Sequence, residues 1–185
     1  SAGALKSAVI PAGGLLPRQL LPYVTLAAAL AVWGVAWFVN QPALAQNRAL
    51  ISAITPHNDI ARNLQGFKDA IAYQSMGTQE AREQLSQITA QMAQSSVPAD
   101  MKQKFFDLTV SEMKAQEAVS PLDARFPLFL GNVYSAYGAL KEAEASLQRA
   151  PELSPDKQTI YYALGQNAWA QGDNAQALAY FKTAY

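Results

Sequence analysis

Residues 130–150 read LGNVYSAYGALKEAEASLQRA, and residues 164–184 read LGQNAWAQGDNAQALAYFKTA. At an offset of 34, Leu130-Gly131 matches Leu164-Gly165, Gly138 matches Gly172, Ala143 matches Ala177, Leu147 matches Phe181 and Ala150 matches Ala184. Every matched position is small or apolar. Small residues such as Gly131, Gly165, Ala143 and Ala177 let two helices approach closely. Leu130, Leu147, Leu164 and Phe181 fill the space between them. A helical hairpin built this way makes half a core and offers the rest to its neighbour, which is how stacked repeat arrays grow.

These residues resemble the tetratricopeptide repeat family. Leu130, Gly131, Tyr134, Gly138, Ala143, Leu147, Ala150 and Pro155 fit one copy of its pattern, and Tyr161, Leu164, Gly165, Gly172, Ala177, Phe181 and Ala184 fit a second. Pro127 stands where the first copy has an aromatic, and Ala168 replaces the Tyr of the second. The resemblance covers 122–185, with the second copy truncated, and implies an all-α, right-handed superhelical array. It also implies a concave surface lined by each repeat's first helix, here Arg125, Leu128, Asn132, Ser135, Thr159, Tyr162, Gln166 and Trp169. Such a groove takes a protein or peptide partner through aromatic anchors and amide donors. The family's lysine clamp for a terminal carboxylate is not reproduced, because Leu128 occupies a clamp position.

Upstream of the repeats, the spacing of apolar residues predicts helices at 43–54, 57–75, 79–95 and 99–118. Within the repeats it predicts helices at 122–137, 140–152, 156–171 and 174–185. Thr55-Pro56, Ser120-Pro121 and Ser154-Pro155 read as N-cap hydroxyls before a first-position proline. Thr78 reads as a further N-cap, and Ser120 with Asp123 and Asp173 with Gln176 have capping-box spacing. Gly138 and Gly172 read as residues just past helix ends. Asn63, Leu64, Phe67 and Ala70 have the spacing of a repeat's second helix. The region 43–118 is therefore either an adaptor or a set of degenerate repeats, with the adaptor favoured.

Only 15% of the 185 residues are charged and half are apolar, against roughly 25% charged in an ordinary soluble domain. The shortage has a location. No charged residue lies between Arg18 and Arg48, and within that gap residues 20–39 read LLPYVTLAAALAVWGVAWFV. Twenty residues make a helix of about 30 Å, the thickness of a bilayer's hydrocarbon core. Tyr23 and Trp37 lie near its ends, Asn40-Gln41-Pro42 is expected to stop it, and residues 1–19 read as a loop leading in. Ala27, Ala31 and Gly34 make a small-residue stripe suited to a neighbouring membrane helix. A buried core helix and a cleaved signal peptide ending at Ala43-Leu44-Ala45 are the alternatives. Lys6 and Arg18 before the span, against Arg48 after it, place the repeats outside a bacterial cytoplasmic membrane by the positive-inside rule.

Fourteen basic residues balance fourteen acidic ones, which gives no footing for nucleic acid. There is no cysteine, which excludes disulfides, Cys-ligated metals and thiol nucleophiles. No catalytic constellation, metal set or cofactor loop is evident. His57, the one histidine, reads as a solvated residue at a helix start. The expected function is that of a membrane-anchored interaction scaffold rather than an enzyme. The order of span, short helical region and repeats also resembles the C-terminal region of bacterial O-antigen ligase or polymerase-like membrane proteins. Phe67 to Tyr73, Ala81 to Leu85 and Ser120 to Arg125 carry that resemblance. It implies a polytopic parent whose catalytic portion lies upstream of this chain, and the Ser1 start and the interrupted second repeat fit such a piece. A free-standing single-span scaffold or assembly factor is the competing reading.

Overall fold

A computed structural model describes residues 17–57 and 59–185, and among these every regular element is a helix. A 3-10 turn at Arg18–Leu20 leads into α1 (Leu21–Ile54), followed by α2 (Ile60–Ala72), α3 (Thr78–Met92), α4 (Ala99–Val119) and α5 (Arg125–Ala136). Next come α6 (Leu140–Leu147), α7 (Arg149–Leu153), α8 (Gln158–Ala170) and α9 (Asn174–Thr183). The chain divides into two units between Gln41 and Pro42. The loop expected at 1–19 falls almost wholly outside the described residues.

In the first unit, the apolar part of α1 exposes its side chains all round, and the rings of Trp33 and Trp37 stack with centroids 5.7 Å apart. By length and composition this helix is able to cross a membrane. The expected stop at Asn40-Gln41-Pro42 is not observed, because Pro42 lies inside α1. A proline there withholds one backbone donor, the one facing the carbonyl of Phe38, and that loss is local. Two residues earlier, the Asn40 amide donates to the Ala36 carbonyl at 2.6 Å.

In the second unit, successive antiparallel hairpins stack as layers. α3 pairs with α4, α5 with α6, and α8 with α9. Each layer's first helix packs on both helices of the layer before: α5 on α3 and α4, α8 on α5 and α6. Apolar clusters fill each junction. Leu50, Leu64, Phe67, Leu85 and Phe105 join α1 to α4. Met113, Phe126, Leu130, Tyr134 and Ala143 join α4 to α5 and α6. Leu128, Leu147, Ile160 and Leu164 join α5 and α6 to α8. Pro127 is buried at the third residue of α5, where a helix has no use for its N–H, and Phe126 beside it supplies the buried aromatic ring.

The prolines work differently from the sequence expectation. Thr55, Ser120 and Ser154 do not cap the following helix; they finish the preceding one. Ser120 (φ −130, ψ 65) and Ser154 (φ −148, ψ 78) are the C-caps of α4 and α7. The cause is steric, since a residue before proline is pushed out of the helical region. Thr55 donates its hydroxyl back to Ile51 at 2.6 Å. The next helices start three or more residues later. Asp59 caps α2 by accepting from Ala61 N at 3.0 Å, and Asp123 accepts from Arg125 N at 3.0 Å as α5 begins. The expected Thr78 cap is displaced too, since Thr78 is the first residue of α3 and Gly77 precedes it as N-cap. The expected helix 140–152 breaks at Gln148, where Pro151 faces the carbonyl of Leu147 four residues back. Asp173 does act as expected, accepting from Gln176 N at 2.9 Å.

Gly138 (φ 77) and Gly172 (φ 85) follow α5 and α8 in the left-handed conformation. Ala139 N bonds Tyr134 O and Gly138 N bonds Ser135 O, and Asp173 N and Gly172 N repeat the pattern on Ala168 O and Trp169 O. Both helices thus end in the same doubly bonded reversal. A Cβ at either glycine would meet nothing within 4 Å, so these two serve conformation and not close packing. After α2 the left-handed position is held by Gln74, at φ 45. A side chain in that region costs about 1 kcal/mol. Gln74→Gly is therefore expected to raise the urea midpoint of the chain by a corresponding amount.

Candidate functional site

The residues expected to line a groove lie on α5 and α8, the first helices of two adjacent layers. On α8, Thr159, Tyr162, Gln166 and Trp169 follow a three- and four-residue spacing that puts them on one face, and all four are exposed. Trp169 is 67% exposed, an unusual state for so large an apolar ring. Tyr162, at 37%, leans on the next elements, with its ring 6.1 Å from Phe181 and 6.2 Å from Tyr185. Hydrogen bonding of its hydroxyl to the Tyr185 side chain raises the Tyr162 phenol above its ordinary pKa.

The α5 residues separate into different roles. Asn132 is exposed. Ser135 is half-buried and donates to Asn167 Oδ1 at 3.0 Å. Leu128 is only 7% exposed and sits in the core with Leu147 and Ile160, so it is not part of a binding surface. It is covered where α8 packs on α5. Arg125 is half-exposed but engaged. Its guanidinium bonds Asp123 at 2.7 Å and pairs with Glu83 of α3 at 3.3 Å. The hydrogen bond to Arg125 holds the Asp123 carboxyl below the usual carboxylate range, and the same bond raises the guanidinium further. The segments 81–85 and 120–125 thus touch through Glu83 and Arg125.

The close helix contacts expected from the repeat are realised in detail. A Cβ on Gly131 would lie 2.5 Å from Leu147 Cγ, and one on Gly165 would lie 2.5 Å from Phe181 Cε1. Two pairs separated by the 34-residue offset therefore make the same contact. Leu130, Ala143, Leu147, Ala150, Leu164, Ala177 and Ala184 are buried, and Phe181 is half-buried.

Three organising side chains escaped the sequence reading. Asn167, buried, accepts from Ser135 and donates to Leu140 O at 3.0 Å, so one amide fastens α8 to both helices of the preceding layer. The available signal was a polar residue at the repeat position that holds Val133 in the first copy. Gln46, fully buried, donates to Ala70 O and Thr78 Oγ1, both at 2.9 Å, and accepts from Gly77 N at 2.9 Å and from the Ser75 hydroxyl. Arg82 bonds Glu112 at 2.9 Å and Gln116 at 2.8 Å, joining α3 to α4. His57 bonds Ser52 O through Nε2 at 2.9 Å. Among the described residues no group of three or more His, Asp or Glu side chains gathers as a metal set would require.

No protein-family model matches the sequence. No curated protein matches it. Among solved structures, a mutant of the protein MamA is similar at 18% identity, over 78% of this chain and 95% of that chain, with a TM-score of 0.46.

Proposed function

We propose that the chain is a membrane-anchored scaffold in which α1 holds a stack of helical hairpins at a membrane and the α5–α8 surface takes a protein or peptide segment. The observation that carries this reading is Trp169, a mostly exposed indole beside exposed Gln166, Tyr162 and Thr159 on one face of α8. Exposed indoles beside amide donors are the composition of interface hot spots. Asn132 belongs to the same surface from α5, whereas Arg125 and Ser135 shape it through their bonds to Glu83 and Asn167. The uncharged, exposed part of α1 supports the membrane side of the reading, and Lys6 and Arg18 support an extracytoplasmic position for the hairpins.

The test uses a photo-crosslinking amino acid in the full chain in its native membrane. Placed at Gln166 or Trp169, it is expected to give a discrete protein adduct that is lost when the neighbouring Trp169 or Tyr162 is changed to Ala. Trp169→Ala is expected to leave the thermal midpoint within about 1 °C, as for an exposed side chain, while reducing the adduct at least tenfold. An adduct of unchanged yield in folded Trp169→Ala/Tyr162→Ala protein would remove the groove. Protection of the hairpins from protease added to intact spheroplasts would overturn the extracytoplasmic placement.

The resemblance to O-antigen ligase-like proteins extends this reading to a parent with an upstream catalytic portion. Further hydrophobic spans in frame upstream of Ser1 would support it, and a start codon just upstream would leave the free-standing scaffold.

A further inference from the structure

The second unit has two ends. At one lie the α2–α3, α4–α5 and α7–α8 connections, and at the other the α3–α4, α5–α6 and α8–α9 connections, as alternating helix direction requires. The first end carries large apolar side chains that no contact covers. Met76 is 88% exposed, Val119 73% and Leu122 84%. Met76 and Val119 border one shallow cleft, Leu122 borders the next, and Ser120 is common to both. The three therefore form a single band across the end and are not scattered singly.

Most charged groups beside this band are ion-paired, and Lys157, which lines the Leu122 cleft, is half-buried and in no ion pair among the described residues. Arg82 is paired with Glu112, and Arg125 with Asp123 and Glu83. Gln74, Ser75, Gln79 and Ser120 supply uncharged polar groups around it. That mixture, apolar tips in a polar but weakly charged surround, suits the headgroup boundary of a bilayer. A water-facing surface of this kind is uncommon in a soluble domain.

Chain length ties the band to a membrane. Gln46 binds Ser75, Gly77 and Thr78, the loop that carries Met76. Val39, the last residue of the apolar run 20–39, is seven residues before Gln46. Seven residues reach at most about 25 Å however they are arranged. If α1 spans a bilayer, the loop fixed to Gln46 is held near that bilayer's surface.

We infer that Met76, Val119 and Leu122 are lipid-facing anchors that seat this end of the helical stack on the bilayer interface. This rests on the proposed membrane anchoring by α1. The occupant is the lipid surface itself. Among the described residues, Lys157 is the one flanking cation outside these pairs, and the seating rests on the apolar tips, so it is expected in phosphatidylcholine alone.

The absence of cysteine makes the test direct, since each single cysteine is the only labelling site. The full chain is reconstituted in phosphatidylcholine vesicles with an environment-sensitive fluorophore at Met76→Cys, Val119→Cys or Leu122→Cys. Ser96→Cys and Gln171→Cys, exposed at the other end, are the references. All three test positions are expected to show blue-shifted emission and quenching by nitroxide-labelled lipid, while the references show neither. Emission at any of the three equal to that of the references, in protein that floats with the vesicles, would overturn the seated surface and leave the anchor intact. Protein that fails to float would overturn the anchor and the seating together.

Discussion

Gln46→Leu is expected to be among the most damaging single substitutions in the chain, lowering stability by on the order of 3 kcal/mol. Leucine nearly matches the volume of the lost side chain but supplies none of its bonds. It strands the Ala70 carbonyl, the Gly77 amide and the Ser75 and Thr78 hydroxyls around a fully buried site. Each stranded group costs about 1–3 kcal/mol when water cannot reach it, less whatever solvent the loop admits. Gly77 also leaves no room for adjustment, since a Cβ there would stand 2.7 Å from Gln46 Oε1. Thermal denaturation in detergent should show a midpoint about 10 °C below the parent. Gln46→Glu isolates the donor half of the network. It keeps the two acceptor bonds and loses both donor bonds, so its midpoint should fall between the two. A Gln46→Leu midpoint within about 2 °C of the parent would mean that the loop does not depend on this amide.

The second large effect is an order among three glycines. Gly66→Ala, Gly131→Ala and Gly165→Ala each place one methyl group in a helix interior, where alanine is intrinsically favoured by about 1 kcal/mol. The neighbours decide what happens next. At Gly66 the new Cβ would stand 2.9 Å from Ala53 Cα, so two backbones must separate. At Gly131 it meets Leu147, a fully buried side chain with nowhere to turn. At Gly165 it meets Phe181, which is half-buried on α9 and able to swing outward. Overpacking costs about 1–3 kcal/mol. Gly66→Ala should therefore be the most destabilising, Gly131→Ala intermediate and Gly165→Ala close to neutral. Urea titrations of the three variants give the order. Equal losses at Gly131 and Gly165 would show that sequence equivalence, and not local packing, controls the cost.

The same pair of glycines explains what could be read without coordinates. The 34-residue offset was legible because it constrains which residues fit, small against large, and Gly131–Leu147 and Gly165–Phe181 obey it in space. Gly138 and Gly172 were legible for a different reason, because a reversal with positive φ selects glycine. The Ser-Pro and Thr-Pro pairs were misread because a hydroxyl residue before proline suits two opposite ends of a helix. The steric rule on the residue before proline decides between them. Pro42 was misread because one missing donor does not stop a helix whose other bonds remain. Gln46 and Asn167 were opaque for a further reason. An amide in an Ala- and Gln-rich helix gives no periodic signal, and only its distant partners reveal it as buried. In the expected groove, the α8 residues are exposed. Leu128 is instead covered by α6 and α8, and the Arg125 guanidinium is engaged by Asp123 and Glu83.

Asn167 has a consequence for how the stack comes apart. In a linear array, stability is the sum of what each layer contributes and what each junction contributes. A layer joined only weakly to the one before it can open while that one stays folded. The Asn167 amide opposes this by holding one bond to each helix of the layer below, so the α8–α9 hairpin cannot leave without exposing both Ser135 and the Leu140 carbonyl. Glu83 and Arg125 make a similar link one layer earlier. Local opening of α8 and α9 is thereby coupled to the opening of the layers that precede them.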